Sequence, residues 1–220
     1  MVIPDGPDFH AAYETFTEQI GTREIIVIVE EPVPPFEHIP SVNDVFAMVK
    51  MVPEADRDGL DMYVLKGETR KRKMLNCCWG RMIYEVSIDD YTGGAVFLYA
   101  NDLQPFRVDK SVTPDGAKKL ERYEIDGHRI RTEKRHHIVE PTRESVRAGL
   151  LYRTLLHEVG HWRQFLERVD LDGISEEERT RLWELFCTMP VKDKEDYADR
   201  YADTLRSKLL KQGLIPFPQA

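Results

Sequence analysis

From Thr142 onward the apolar residues Val146, Leu150, Leu151, Leu155, Val159, Trp162, Phe165, Leu166 and Val169 recur at helical spacing, until Asp172 and Gly173 end the pattern. Thr142 is placed to cap this run, whose roughly 30 residues would span about 45 Å at the α-helical rise. A stripe that long has to be covered, so the rest of the chain must supply a sheet or further helices to pack against it. Two helices follow. Ser175 and Glu178 make a capping-box pattern ahead of Leu182, Trp183 and Phe186, and Pro190 stops that helix. The last helix is expected from about Lys194 to Lys211, with Tyr197, Ala198, Tyr201, Ala202, Leu205 and Leu209 on one broad stripe.

The chain ahead of the long helix reads as strands and loops. Residues 24–29 are a β-branched apolar run ended by Pro32, Pro34 and Pro35, and residues 61–66, 81–88 and 95–100 read as further strands. Residues 41–51 read as a short helix capped by Ser41 or Asn43 and stopped by Pro53. The basic run Arg70, Lys71, Arg72 and Lys73 reads as an exposed loop. Residues 102–137 are polar and irregular, with a turn at Pro114-Asp115-Gly116 and a hairpin formed by residues 123–125 and 129–132. The expected fold is α+β, a small mixed or antiparallel sheet followed by one long helix and by C-terminal helices. No repeat or linker divides it, so one domain is expected over 1–220, strand-rich to about 140 and helical over about 141–212.

Charge narrows the partners. With 39 acidic against 31 basic side chains and a net charge of −8, the surface as a whole repels nucleic acid and anionic membrane. The longest clearly apolar stretch, residues 25–29, is far too short to span a bilayer. Residues 1–10 lack a basic start followed by an apolar run, so neither export nor anchoring is expected and the cytoplasm is the expected compartment. Three cysteines, two of them adjacent, make no disulfide framework, and Cys77 and Cys78 read as small buried hydrophobes.

Inside the long helix stands His157-Glu158-Val159-Gly160-His161. Positions four apart differ by about 40° around a helix axis, so both imidazoles project from one face and can bind one ion. Glu158 lies about 100° from His157, beside the ligands, where a general base acting on a water belongs. Such a histidine pair suits Zn2+, whose catalytic sites need a third protein ligand and one open position. Glu167 fails as that ligand, because an unbroken helix puts it roughly 15 Å along the axis from His157 and on another face. Glu195 is the better candidate. With Asp199 four residues on, it presents two carboxylates on one face of the last helix, and Ala198 and Ala202 leave room for that helix to approach the first. Asp199 is then placed to accept a hydrogen bond from the outer nitrogen of a ligating imidazole.

His157-Glu158-x-x-His161 followed, beyond residues 162–194, by Glu195-x-x-x-Asp199 resembles the gluzincin pattern of thermolysin-type zinc metallopeptidases. The short chain, with strands ahead of one metal-bearing helix, also resembles a minimal zincin core such as that of the ImmA/IrrE-type peptidases. The specific match covers roughly residues 142–210. The resemblance implies a zincin-like fold and one catalytic Zn2+ on His157, His161 and Glu195, with Glu158 as general base. The implied reaction is hydrolysis of peptide bonds in a protein or peptide substrate, by an endopeptidase more than an exopeptidase. It further implies an edge strand that lines the cleft and pairs with substrate backbone, which maps to residues 95–100. Oxyanion stabilisation could come from Tyr152, Tyr197, Tyr201, His136 or His137, among which the sequence does not choose. The alternative is a zinc-stabilised, non-catalytic binding or regulatory module on the same scaffold. Glu158 discriminates, since a structural site has no use for a base beside an open position.

Overall fold

The computed structural model describes residues 12–75, 78–110 and 114–218, so the readings of residues 1–10 and of Cys77 fall outside the described residues. Alternation along the strands sets the layers. In β2 (Arg23–Glu30), β3 (Met62–Lys66) and β5 (Tyr91–Tyr99), the side chains of Ile25, Val27, Tyr63, Leu65, Val96 and Leu98 join the core shared with the helices. Ile28, Met62, Val64, Ala95, Phe97 and Tyr99 fill a second cluster on the opposite face. Burial on both faces is why these strands read as continuous apolar runs. They pair in parallel, and two antiparallel strands flank them: β1 (Tyr13–Ile20) on β2 and β4 (Gly80–Ile88) on β5. The order is β1-β2-β3-β5-β4.

One expectation is corrected here, and one strand is new. The strand at residues 95–100 is interior, because β4 turns back at Asp89–Asp90 and lies outside β5; the edge strand on that side of the sheet is β4. β1 carries no apolar run, since Glu14, Thr15, Phe16 and Thr17 are all exposed, and sequence reading finds no strand there.

The helices cover one face of this sheet. α1 (Val42–Met51) opens on a capping box between Ser41 and Asp44, and it buries Val45, Phe46, Met48 and Val49. The long run is continuous in three parts: α4 (Arg143–Gly149), a π-helical turn over Leu150–Leu155, and α5 (Leu156–Arg168). Thr142 caps it as expected, its side chain accepting from the Ser145 N–H. The π turn is absent from the sequence reading, because a single extra residue per turn scarcely disturbs an apolar pattern that is buried all round. Arg147 of α4 forks onto Asp44, whose side chain is fully buried, and so ties the start of the run to α1. α6 (Glu176–Thr188) is capped by Ser175, but Glu178 turns to Arg181 and leaves the expected capping box half made. α7 (Val191–Lys211) begins directly after Pro190, earlier than expected. Among the described residues no helix is long and apolar enough to cross a membrane.

A small lobe stands apart from the main sheet: β6 (Phe106–Asp109), α3 (Pro114–Ile125), β7 (Arg129–Thr132) and β8 (His136–Glu140), with antiparallel order β6-β8-β7. The turn expected at 114–116 is instead the start of α3. The hairpin expected from residues 123–125 with 129–132 is also overturned, since the former end α3 and the latter pair with β8. Gly127, at φ +87°, closes α3: its N–H donates to Glu124 O and that of His128 to Tyr123 O, a helix terminus that only glycine adopts cheaply. The basic run is likewise no loop but the short helix α2 (Arg70–Leu75), where Arg72 is held by Glu68 and Lys73 by Asp102.

Candidate metal centre and its cleft

The centre forms where α5 crosses α7. Gly160 makes this possible: a Cβ there would lie 2.9 Å from Ala198 Cα and 3.0 Å from Ala198 O, so the two backbones touch. Ala198 and Ala202 are both buried at the contact. The close approach carries Glu195 to the histidines. His157 Nε2 stands 3.1 Å from His161 Nε2 and 3.2 Å from Glu195 Oε2, and His161 Nε2 is 3.5 Å from Glu195 Oε1. Tetrahedral Zn2+ with bonds near 2.0–2.1 Å holds its ligand atoms about 3.3 Å apart, so this donor set fits the ion in both chemistry and spacing. His157 Nδ1 donates to Asp199 Oδ1 at 3.0 Å. The other oxygen of Asp199 takes Arg122 of α3 at 2.7 Å, so the lobe is bonded to the centre through one carboxylate.

The ionisable groups of the centre shift one another. Burial opposes charge on His157, but its hydrogen bonds to Asp199 and Glu195, with Glu158 nearby, outweigh that and push its pKa up to about 9. The hydrogen bonds of His157 and His161 hold the Glu195 carboxyl far below its ordinary range. Asp199 sits at about 2, since His157 and Arg122 overcome the effect of its burial. Glu158 behaves differently. It is 7% exposed, burial pushes its carboxyl above the usual range, and the Met82 N–H of β4 donates to it.

A cavity of about 880 Å3 opens over these groups. The edge strand β4 forms one wall with Gly80, Arg81, Met82 and Tyr84, and the lobe contributes Lys119, Arg122 and Tyr123. Gly80 must be glycine for the strand to pass, because a Cβ would lie 2.5 Å from Thr154 Cγ2.

His157, Glu158, His161, Glu195 and Asp199 thus come together. The five oxyanion candidates do not, and none of them lines the cavity. Tyr197 donates to Glu167 at 2.8 Å and Tyr201 to Asp56 at 2.9 Å, because residues two along from Glu195 and Asp199 are turned about 200° around α7. His137 is 2.9 Å from Thr132 Oγ1 and His136 pairs with Glu133, both in the lobe's sheet. Tyr152 accepts from Arg147 and from the Phe217 N–H on the far side of the run. Cys78 is half-buried at the cavity wall, where burial pushes its thiol up. Sequence reading misses Arg122 and Tyr84. Tyr84 is set among Trp162, Phe165, Trp183 and Phe186, with burial and then Glu158 raising its hydroxyl pKa. No motif marks either residue; only the strand order and the lobe's placement bring them in. No protein-family profile, curated protein or solved structure matches this chain.

Proposed function

We propose that the chain is a zinc-dependent peptidase on a zincin-like scaffold, with His157, His161 and Glu195 as ligands and Glu158 as general base. The observation that carries this reading is the position of Glu158: buried, on the cavity side, one residue from a ligand and outside the ligand set. When bound, Zn2+ supplies Lewis acidity to the scissile carbonyl and brings the pKa of a water toward neutrality. Glu158 takes the proton of the attacking water and delivers it to the leaving amine. Asp199 fixes the tautomer of His157, keeping Nε2 free for the ion, and Arg122 fixes Asp199. The outer edge of β4, unpaired among the described residues, offers backbone groups with which an extended peptide can pair. We place the protein in the cytoplasm with a protein or peptide substrate.

The test is digestion of a proteome-derived peptide library by the zinc-loaded protein, with new termini read by mass spectrometry. Glu158→Gln should keep its zinc and lose about 10²- to 10⁴-fold in cleavage rate. Undiminished cleavage by that variant would defeat the mechanism, and a zinc-replete wild type that cuts nothing would favour a non-catalytic module. Glu195→Ala should lower zinc content by elemental analysis; unchanged content would remove Glu195 from the centre.

A further inference from the structure

The cavity is positive in a negative protein. Arg81, Lys119, Arg122, Arg153 and Lys194 line it against only Glu158, Glu195 and Asp199, whereas the whole chain carries −8. Two of these cations are already engaged, Arg122 by Asp199 and Arg153 by Asp126. The other three have no carboxylate within ion-pair distance among the described residues. They come from three elements: Arg81 is exposed on β4, Lys119 exposed on α3, and Lys194 half-exposed on α7 beside Glu195. Lys194 Nζ stands 5.1 Å from the centre of the Phe186 ring, a cation–π contact that positions the ammonium without neutralising its charge. A bound divalent ion would make the cavity more positive still.

Resting on the peptidase reading above, we propose that the cleft selects acidic peptide segments, seating Asp or Glu side chains of the substrate among Arg81, Lys119 and Lys194. A concave site of one sign focuses the field and concentrates ligands of the other, and an acidic outer surface turns the same ligands away from everywhere else. Nucleic acid meets the same repulsion over a far larger footprint and gains no use of Glu158, so the peptide is the occupant that the charge distribution favours.

Binding to zinc-loaded Glu158→Gln protein, which holds peptide without cutting it, separates this inference from the chemistry. The probes are a fluorescein-labelled decapeptide of alternating Ala and Glu, its Ala–Gln counterpart, and a labelled thymidine decanucleotide, followed by anisotropy at low salt. The Glu peptide should bind at least about tenfold tighter than the Gln peptide and than the oligonucleotide. That preference should fall in Lys119→Gln and collapse in the Lys119→Gln, Lys194→Gln double variant, with zinc content unchanged. Equal binding of the two peptides overturns the proposal, as does tighter binding of the oligonucleotide or an undiminished preference in the double variant. An intact preference in a zinc-replete wild type that also cuts nothing in the peptide library supports acidic selection and defeats the peptidase reading.

Discussion

The α5–α7 crossing and the β6–α3–β7–β8 lobe meet at Asp199, yet opposite physics holds them. At the crossing the side chains are small: Gly160 lies on Ala198 backbone to backbone, and close packing fixes the distance between the candidate ligands on two helices. The lobe adds charge to the ring contacts of Trp79 with Tyr123 and His128. Asp126, whose side chain is fully buried, takes Arg153 at 2.7 Å and Arg206 at 3.0 Å, and Arg122 takes Asp199. Packing of the first kind resists any change in volume, whereas ion pairs of the second kind resist the loss of one partner. The candidate metal centre therefore has a stiff side and an electrostatically tethered side.

The largest effect should come from cutting the tether. Asp126→Ala leaves two guanidinium groups without their carboxylate and should cost about 3–5 kcal/mol. Hydrogen exchange should speed over residues 106–140 while the amides of α5 keep their protection; uniform loss over both would mean that the two regions are one unit. The stiff side is tested by Gly160→Ala, whose added methyl has to push α7 away at a cost of about 1–3 kcal/mol. All three candidate ligand residues are retained in that variant, yet zinc should be lost to a competing chelator more readily. Wild-type affinity there would show that the crossing does not set the ligand spacing.

The smallest effect concerns His128, packed between Trp79 and Tyr123 with Nδ1 3.0 Å from Ser145 Oγ. Burial, against the pull of Asp126, lowers its pKa from 6.5 to about 4. The unfolded chain therefore binds this proton more readily. The associated stability is complete above pH 6.5 and is lost as pH falls from there toward 4. Solvent in the neighbouring cavity screens part of the effect, leaving about 1 kcal/mol between pH 7 and 5. The urea midpoint of the wild type should drop by more than that of His128→Gln over this interval, and equal drops would remove His128 as the cause.

The two regions also differ in how well sequence reading finds them. Thr142, Ser175 and Pro190 mark helix ends by local chemistry, and the four-residue spacings of His157 with His161 and of Glu195 with Asp199 are helical geometry that needs no tertiary knowledge. The placement of Tyr197 and Tyr201 away from the centre was open to the same geometry, since two residues along α7 lead to another face. Strand order was not. Nothing local says that β4 passes outside β5, because that choice depends on how two distant segments share a sheet. The lobe is harder still: strands of four or five residues carry little pattern, and its bonds to the helices join residues as far apart as Asp126 and Arg206.

The π turn at Leu150–Leu155 gives the long run two independent phases. A wide turn takes in one residue more than an α turn, so the face that α4 shows to Asp44 is rotated by about 100° from where an unbroken α-helix would put it relative to α5. The run behaves like a shaft with a coupling in the middle, one end aligned to α1 and the other to the cleft. Shortening the segment by one residue would leave His157-Glu158-x-x-His161 letter for letter intact and still put one end out of alignment. For this chain, the length of an unremarkable apolar stretch is as much a part of the centre as the residues that face it.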